Sequence, residues 1–364
     1  MIAIGELQTI FNVFNVIKIF VIATISLGLT LLLTPIWTKL LYKYFSAGKQ
    51  IKTEDAPIFK KLHENKVGTP TMGGVLIWFT VFLLTLGFWI LSSTIDGFWS
   101  NFNFLSRGQT LLPLGALVVA ALLGMIDDVA GIFRIGPKGG GIKTSNRLFL
   151  YLLVAVGVSW WFYFKLDFNS INIPFLGDLF IGWWYIPISI FVIVATSFSA
   201  NLTDGLDGLV GGTFLSMFAA FGAIAFVQGR IDLVVFIAAI MGSLVAFLWF
   251  NIYPAKFFMG DTGVMSLGVV MAIVAMLTDT ILLLPIIAFI FVVESLSVIF
   301  QVASKKLRKK KIFLSAPIHH HFEAKGWHET RITMRFWIVS AVFALGGLII
   351  FLVDSKTPPI WNLF

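Results

Sequence analysis

Ten stretches of apolar residues, each near the length that crosses a membrane, recur along this chain. They fall at roughly 17–41, 72–94, 111–126, 147–165, 183–200, 209–228, 231–250, 263–278, 281–303 and 334–353. A hydrocarbon core about 30 Å thick needs about 20 apolar residues in helical form, because backbone amides in lipid must bond within their own segment. The composition agrees: 58% of the 364 residues are hydrophobic, 12% are charged, and the mean hydropathy is +0.95. A soluble globular enzyme could not cover that much apolar surface, and a disordered chain would not carry it. The expected fold is an all-α polytopic membrane protein of about ten transmembrane helices.

Charge orients the bundle. With the N-terminus outside, 21 of the 26 Lys and Arg residues fall on the inner side. Only Lys18, Arg107, Lys165, Arg230 and Lys356 fall on the outer side. This is the positive-inside pattern, and it supports this register of spans with both termini outside. The formal net charge of +8 also suits anionic lipid or an anionic substrate. Residues 166–182 (LDFNSINIPFLGDLFIG) alternate polar and apolar with Pro and Gly, which predicts a short extracytoplasmic hairpin instead of a span. The start of the chain lacks the basic region of a cleaved signal peptide. Inner loops are short and no internal repeat is evident, so residues 1–364 are expected to form one integral membrane domain.

The chemistry-bearing residues are unevenly spread. Asp127, Asp128, Asp204, Asp207 and Asp261 fall at inner-side helix ends or loops. So do all five histidines, His63, His319, His320, His321 and His328. Neutral histidine plays no part in the positive-inside rule, so its segregation calls for a chemical reason. In MIDDV, Asp127 and Asp128 end a span, where they repel each other and oppose the helix dipole; a cation or proton would hold such a pair. In NLTDGLDGLVGG, Asp204 and Asp207 are three apart and share a face if the segment is helical. Asn201 lies three residues earlier, and the glycines admit close approach of a backbone or phosphate.

Asp261 in FFMGDTG lies at a helix start. An N-cap role would explain the carboxylate alone, but Asn251, Lys256 and Phe258 bring polar, cationic and stacking groups near it. The run APIHHHFEAKGW cannot aim three consecutive histidines one way from a helix, HETRI is not the HExxH signature, and the chain has no cysteine. Zinc is therefore disfavoured, and histidines near Lys325 suit a pyrophosphate. Lys66 precedes GTPTMGG, where helix N-terminal amides and a lysine suit an anion. Glu294 lies within the ninth stretch, and an intramembrane carboxylate is a functional candidate by default. The run KKLRKKK at 305–311 reads as an orientation determinant that touches anionic headgroups. Carboxylates, lysines and histidines on one face point to Mg²⁺ and phosphate, hence to phosphoryl chemistry at the inner surface. No GxxxxGK[ST] loop is present, which disfavours nucleotide hydrolysis of the P-loop kind.

The set GTPTMGG, MIDDV, NLTDGLDGL, FFMGDTG and APIHHHFEAKGW resembles the phospho-N-acetylmuramoyl-pentapeptide transferases (translocase I), over about residues 40 to 340. Their wider group, the polyprenyl-phosphate N-acetylhexosamine-1-phosphate transferases, shares the aspartates, and the PIHHHFE loop marks the muramoyl branch. The resemblance implies a bacterial inner-membrane enzyme with its active site on the cytoplasmic face. It implies transfer of phospho-MurNAc-pentapeptide from UDP-MurNAc-pentapeptide to undecaprenyl phosphate, giving lipid I and UMP with Mg²⁺, the first membrane step of peptidoglycan synthesis.

By the same resemblance Asp127, Asp128, Asp204 and Asp261 are the catalytic set. Asp261 is the magnesium ligand, and Asp127 is the candidate base for the lipid phosphate. Asp207 and Phe258 are placed to read and stack uracil, and Lys66, Thr71, Asn201, Asn251, His319, His320 and His321 are further substrate positions. Two departures stand out. Phe198 in SFSANLTDG replaces an asparagine of the family, and in GIKTSNR Ser145 replaces an arginine, leaving Lys143 or Arg147 to supply the charge. The runner-up readings are a related acetylglucosamine-phosphate transferase, a ten-span transporter and a non-catalytic scaffold. Membrane enzymes of this kind can pair through flat helix faces, so a homodimer is one arrangement the chain permits.

Overall fold

The computed structural model describes residues 12–45, 66, 68–95, 97–135 and 144–354. His63, Lys143 and Lys356 lie outside the described residues, as do the other charges of 46–65 and 136–143.

Helices form where the apolar stretches lie. They are α1 (Val13–Tyr44), α2 (Val75–Thr94), α3 (Leu111–Ile132), α4 (Thr144–Lys165), α5 (Tyr185–Thr203), α6 (Leu209–Val227), α7 (Ile231–Asn251) and α8 (Gly260–Leu277). The C-terminal part adds α9 (Leu284–Ile287), α10 (Phe289–Arg308), α11 (Ile318–Ala324) and α12 (Glu329–Val353). Among the described residues nine helices are long and apolar enough to cross a membrane, or ten if a bent pair counts as one span. The expected hairpin is present: β1 (Ser170–Ile173) pairs antiparallel with β2 (Gly177–Phe180), with Ser170 opposite Phe180 and Ile173 opposite Gly177.

Helix α8 forms the centre. All of its residues from Gly260 to Leu277 are buried, and it packs against α3, α5 and α2. The peripheral helices α1 and α12 instead expose Phe20, Leu32, Ile36, Ile338, Val342 and Leu345, as a lipid-facing surface requires. Lipid tails are as apolar as Leu, so helices associate in a bilayer through close packing and polar contacts. Gly124 shows the packing: a Cβ there would run into the backbone carbonyl of Asp261, so only glycine lets α3 approach the start of α8.

The ninth stretch does not form one straight span. The segment Ile281–Ile287 meets Phe289–Arg308 at 80°. The sequence of α10 gives the reason. Glu294, Ser297, Gln301 and Ser304 recur at helical spacing and are buried, while Leu296, Ile299, Phe300 and Leu307 are exposed. One polar stripe and one apolar stripe make a helix that must turn its polar side to protein.

Candidate active site

The polar residues collect at one end of the bundle, in two neighbouring clusters. The first is built on helices. Asp127 and Asp128 lie one turn before the end of α3, but adjacent residues on a helix diverge by about 100°, and the two carboxylates part company. Asp128 Oδ2 accepts from Thr262 N at 3.0 Å and Oδ1 from Thr71 Oγ1 at 3.3 Å. Asp128 therefore satisfies an amide at the positive end of α8, a favourable place for a carboxylate. Gly260, at φ 75°, makes the tight entry to that helix, and a Cβ there would meet Asp128 and Thr71. Asp127 turns the other way, to Arg147 Nη2 at 2.5 Å.

The two carboxylates of the expected Asp127–Asp128 pair thus contact different neighbours. Asp127 is linked to Asp261, whose Oδ2 lies 3.1 Å from the same Arg147 nitrogen. Asn201 completes the cluster: it accepts from Arg147 Nη1 at 3.0 Å and donates through Nδ2 to Asp261 Oδ1 at 2.5 Å. Asp261 lies in the first turn of α8 and does not cap it, so the N-cap reading also falls. Of the two residues left open by the Ser145 departure, Arg147 lies in this cluster and Lys143 lies outside the described residues, while Ser145 is exposed. Phe198 is half-buried and packs on the core.

The second cluster is built on turns. Helix α5 stops at Thr203, and residues 204–208 turn instead of continuing. Asp204 and Asp207 consequently do not share a helical face; Asp204 is half-buried and Asp207 is buried. Asp207 Oδ1 accepts from Lys66 Nζ at 2.7 Å and Oδ2 from Ala255 N at 3.0 Å. Lys66 Nζ also reaches Glu329 Oε1 at 2.5 Å and stands 5.8 Å from the Phe258 ring centroid. Burial opposes the charge on Lys66, but Glu329 and then Asp207 outweigh it and hold the ammonium above its ordinary range. Asn251 ties the loop down, accepting from Gly208 N at 3.1 Å and donating to the Phe257 carbonyl at 2.9 Å. Lys256 is exposed, with its ammonium 5.2 Å from the Phe250 ring centroid.

The three histidines of α11 point three ways, as a helix demands. His319 is fully buried, its Nδ1 3.0 Å from Glu294 Oε1, although the two atoms are not aligned as a hydrogen bond. Glu294 is thereby placed against the histidine loop. His320 Nδ1 pairs with Glu323 Oε2 at 2.6 Å. His321 Nδ1 accepts from Leu314 N at 3.1 Å. Burial, and then the exposed Lys325, push the His321 pKa below its ordinary value, which keeps the ring a neutral acceptor.

Sequence reasoning left Arg147 unassigned and missed Glu329. Arg147 lies in the first turn of α4, at the edge of an apolar span, which was its available signal. Glu329 follows GWH at a helix start and reads as a helix-dipole carboxylate until the fold brings Lys66 to it.

Comparison with known proteins bears on this end of the bundle. A glycosyl transferase family 4 model matches residues 110–279, which include Asp127, Asp128, Arg147, Asn201 and Asp261. The chain is 36% identical to the phospho-N-acetylmuramoyl-pentapeptide-transferase of Chloroflexus aurantiacus over 355 residues, 94% of this chain and 91% of that protein. It is 38% identical to the protein of that name from Geobacillus thermodenitrificans over 336 residues, 92% of this chain and 98% of the relative. The Clostridium perfringens protein of that name is 38% identical over 327 residues, 90% and 94% of the two chains.

Proposed function

The chain belongs to the phospho-N-acetylmuramoyl-pentapeptide-transferase family, and on that premise we propose how its two polar clusters divide the reaction. The protein is a multi-pass membrane phosphoglycosyl transferase that moves phospho-MurNAc-pentapeptide from UDP-MurNAc-pentapeptide to undecaprenyl phosphate, forming lipid I and releasing UMP. The names of its relatives favour this branch over the acetylglucosamine one and over a transporter. The observation that carries the site reading is Arg147 of α4 held between Asp127 of α3 and Asp261 of α8. There α3 and α4, consecutive in the chain, meet the distant α8.

The donor set is suited to Mg²⁺. The ion needs one or two carboxylates and takes its remaining ligands from phosphate and water. Asp127 and Asp261 converge on one nitrogen, and among the described residues no group of three His, Asp or Glu side chains forms an all-protein cage. Asp261, with Asp127 beside it, would hold the ion, which when bound would offset charge on the pyrophosphate and the departing UMP. Arg147 brings a planar fork of donors suited to phosphate oxygens. Asn201 orients the Asp261 carboxylate from its other side, and Asp128 anchors the first turn of α8 beneath it. In the transfer, an oxygen of the acceptor phosphate forms a bond to the sugar-linked phosphorus while the bond to UMP breaks. The acceptor is already ionised near pH 7, so little is asked of a base. Positioning and electrostatics carry such a step. We assign direct attack; a covalent enzyme–phosphosugar adduct trapped without acceptor would overturn that assignment.

The second cluster suits the nucleotide, with Phe258 offering a ring face beside Lys66 and Asp207. The site end is assigned to the cytoplasmic face of the bacterial inner membrane by the excess of Lys and Arg on that side. The chain has no cysteine, so a single cysteine at exposed Lys325 should react with an impermeant thiol reagent from the cytoplasmic side only.

The deciding experiment measures UMP release by purified protein in detergent with undecaprenyl phosphate and Mg²⁺. One arm carries UDP-MurNAc-pentapeptide and the other UDP-N-acetylglucosamine, with Asp261→Asn as control. Release with the muramoyl substrate alone, lost in the mutant, is expected. Release with the acetylglucosamine substrate would move the chain to the sister branch.

A further inference from the structure

We infer that Glu329 is a positioning residue for the nucleotide, acting through Lys66 and Asp207; this rests on the assignment of that cluster to the nucleotide. The final helix carries Glu329, Thr333 and Trp337 at four-residue spacing, which puts them on one face. All three grip the same turn of the NLTDGLDGL segment. Glu329 Oε1 accepts from Asp207 N at 2.5 Å. Thr333 Oγ1 donates to the Asp207 carbonyl at 3.2 Å, and Trp337 Nε1 donates to the Gly208 carbonyl at 3.1 Å. Helix α12 therefore holds both peptide groups around Asp207, amide and carbonyl, by side chains from three successive turns.

The charge on Glu329 has a second use. The same Oε1 that receives the Asp207 amide also receives Lys66 Nζ. Lys66 is shared between the Asp207 and Glu329 carboxylates, so its ammonium is directed away from free rotation and held beside Phe258. A carboxylate that served only the dipole of α12 would have no need to be buried or to bridge two other segments. Removing it would leave Lys66 one carboxylate short and the Asp207 amide without its acceptor.

The test uses full-length protein and two readouts: UMP affinity by calorimetry, and KM for each substrate beside kcat. Wild-type protein that binds UMP shows first that the nucleotide reading holds; protein that does not bind it fails that reading, independently of Glu329. Glu329→Gln keeps an acceptor and loses the charge, while Glu329→Ala loses both. The Gln variant should weaken UMP binding and raise the nucleotide KM about tenfold, the size expected for one charge-assisted hydrogen bond. The Ala variant should do more. In both, the KM for undecaprenyl phosphate stays at the wild-type value and kcat changes by less than the nucleotide KM. Thr333→Val, which removes only the carbonyl grip, should raise the nucleotide KM about threefold. If Glu329→Ala does not fold, the Gln and Val variants decide. Unchanged nucleotide affinity in both, or an equal rise in the lipid KM, would overturn the inference.

Discussion

Two clusters at one end of the bundle each place one cation between two carboxylates, yet they are built differently. Arg147, Asp127 and Asp261 stand on α4, α3 and α8, and Asn201 on α5, so four helices fix them. Lys66, Asp207 and Glu329 come from a loop, a turn and the first residue of α12. The cation types differ in the same sense. A guanidinium has a planar fork that bridges two fixed acceptors, while a lysine is a point charge on a flexible stem. The helix-built cluster suits chemistry that tolerates little displacement. The turn-built cluster suits recognition, where a loop can adjust around a base. Each depends on a residue outside the obvious motifs, and both, Arg147 and Glu329, lie in the first turn of a helix.

The sharpest test of that division is Asp261→Asn, which should lower kcat by about 100-fold, in line with loss of one electrostatic group at a reacting phosphate. UMP affinity should stay near wild type, and an equal fall in both would merge the two clusters. Arg147→Gln comes next. It leaves Asp127 and Asp261 facing each other without their cation, at a cost of about 3 kcal/mol in denaturant unfolding. Adding Asp127→Asn should restore part of that loss, as a double-mutant cycle would show.

Lys66→Gln should act on the nucleotide side, raising the nucleotide KM about tenfold with a smaller change in kcat. The sign of its pH dependence follows from the raised pKa. Stability from Lys66 is fully present below the ordinary lysine value and is lost only as pH rises through the higher folded one. The stability difference between Lys66→Gln and wild type should therefore be flat from about pH 6 to 9. His321 has the opposite sign. Its pKa is lowered by burial and by Lys325, so stability falls as pH drops through the ordinary histidine value and levels off below the folded one. His321→Asn, which keeps an acceptor for Leu314 N, should remove that small acid dependence in a melting series. The smallest effect belongs to Thr71→Val, whose bond to Asp128 is long at 3.3 Å; kcat should fall less than about threefold.

Much of the architecture was legible in the chain because lipid leaves few choices. Apolar runs of spanning length become helices, and most begin and end near the expected limits; α3 runs on to Ile132, α12 starts early at Glu329, and the ninth stretch breaks. The 166–182 hairpin was legible for the same local reasons of alternation, Pro and Gly. The motif residues Asp127, Asn201, Asp207, Asp261 and the histidine loop lie together at one end of the bundle. The partners were not legible. Adjacent Asp127 and Asp128 looked like a pair and serve different neighbours, because a helix turns by about 100° per residue. Asp204 and Asp207 looked like one helical face and lie on a turn, because α5 ends at Thr203.

What the sequence determined by itself is what local physics decides: spans, a short hairpin, a polar end and its chemical vocabulary of carboxylate, lysine and histidine. What only the tertiary structure decided is which groups meet. Arg147 reaches Asp127 and Asp261, Glu329 reaches Lys66 across 263 residues of sequence, and the ninth stretch bends by 80°. Those outcomes depend on the packing of helices distant in the chain, where a charge buried at one element finds its counter-charge on another. No pattern within a single segment carries that information.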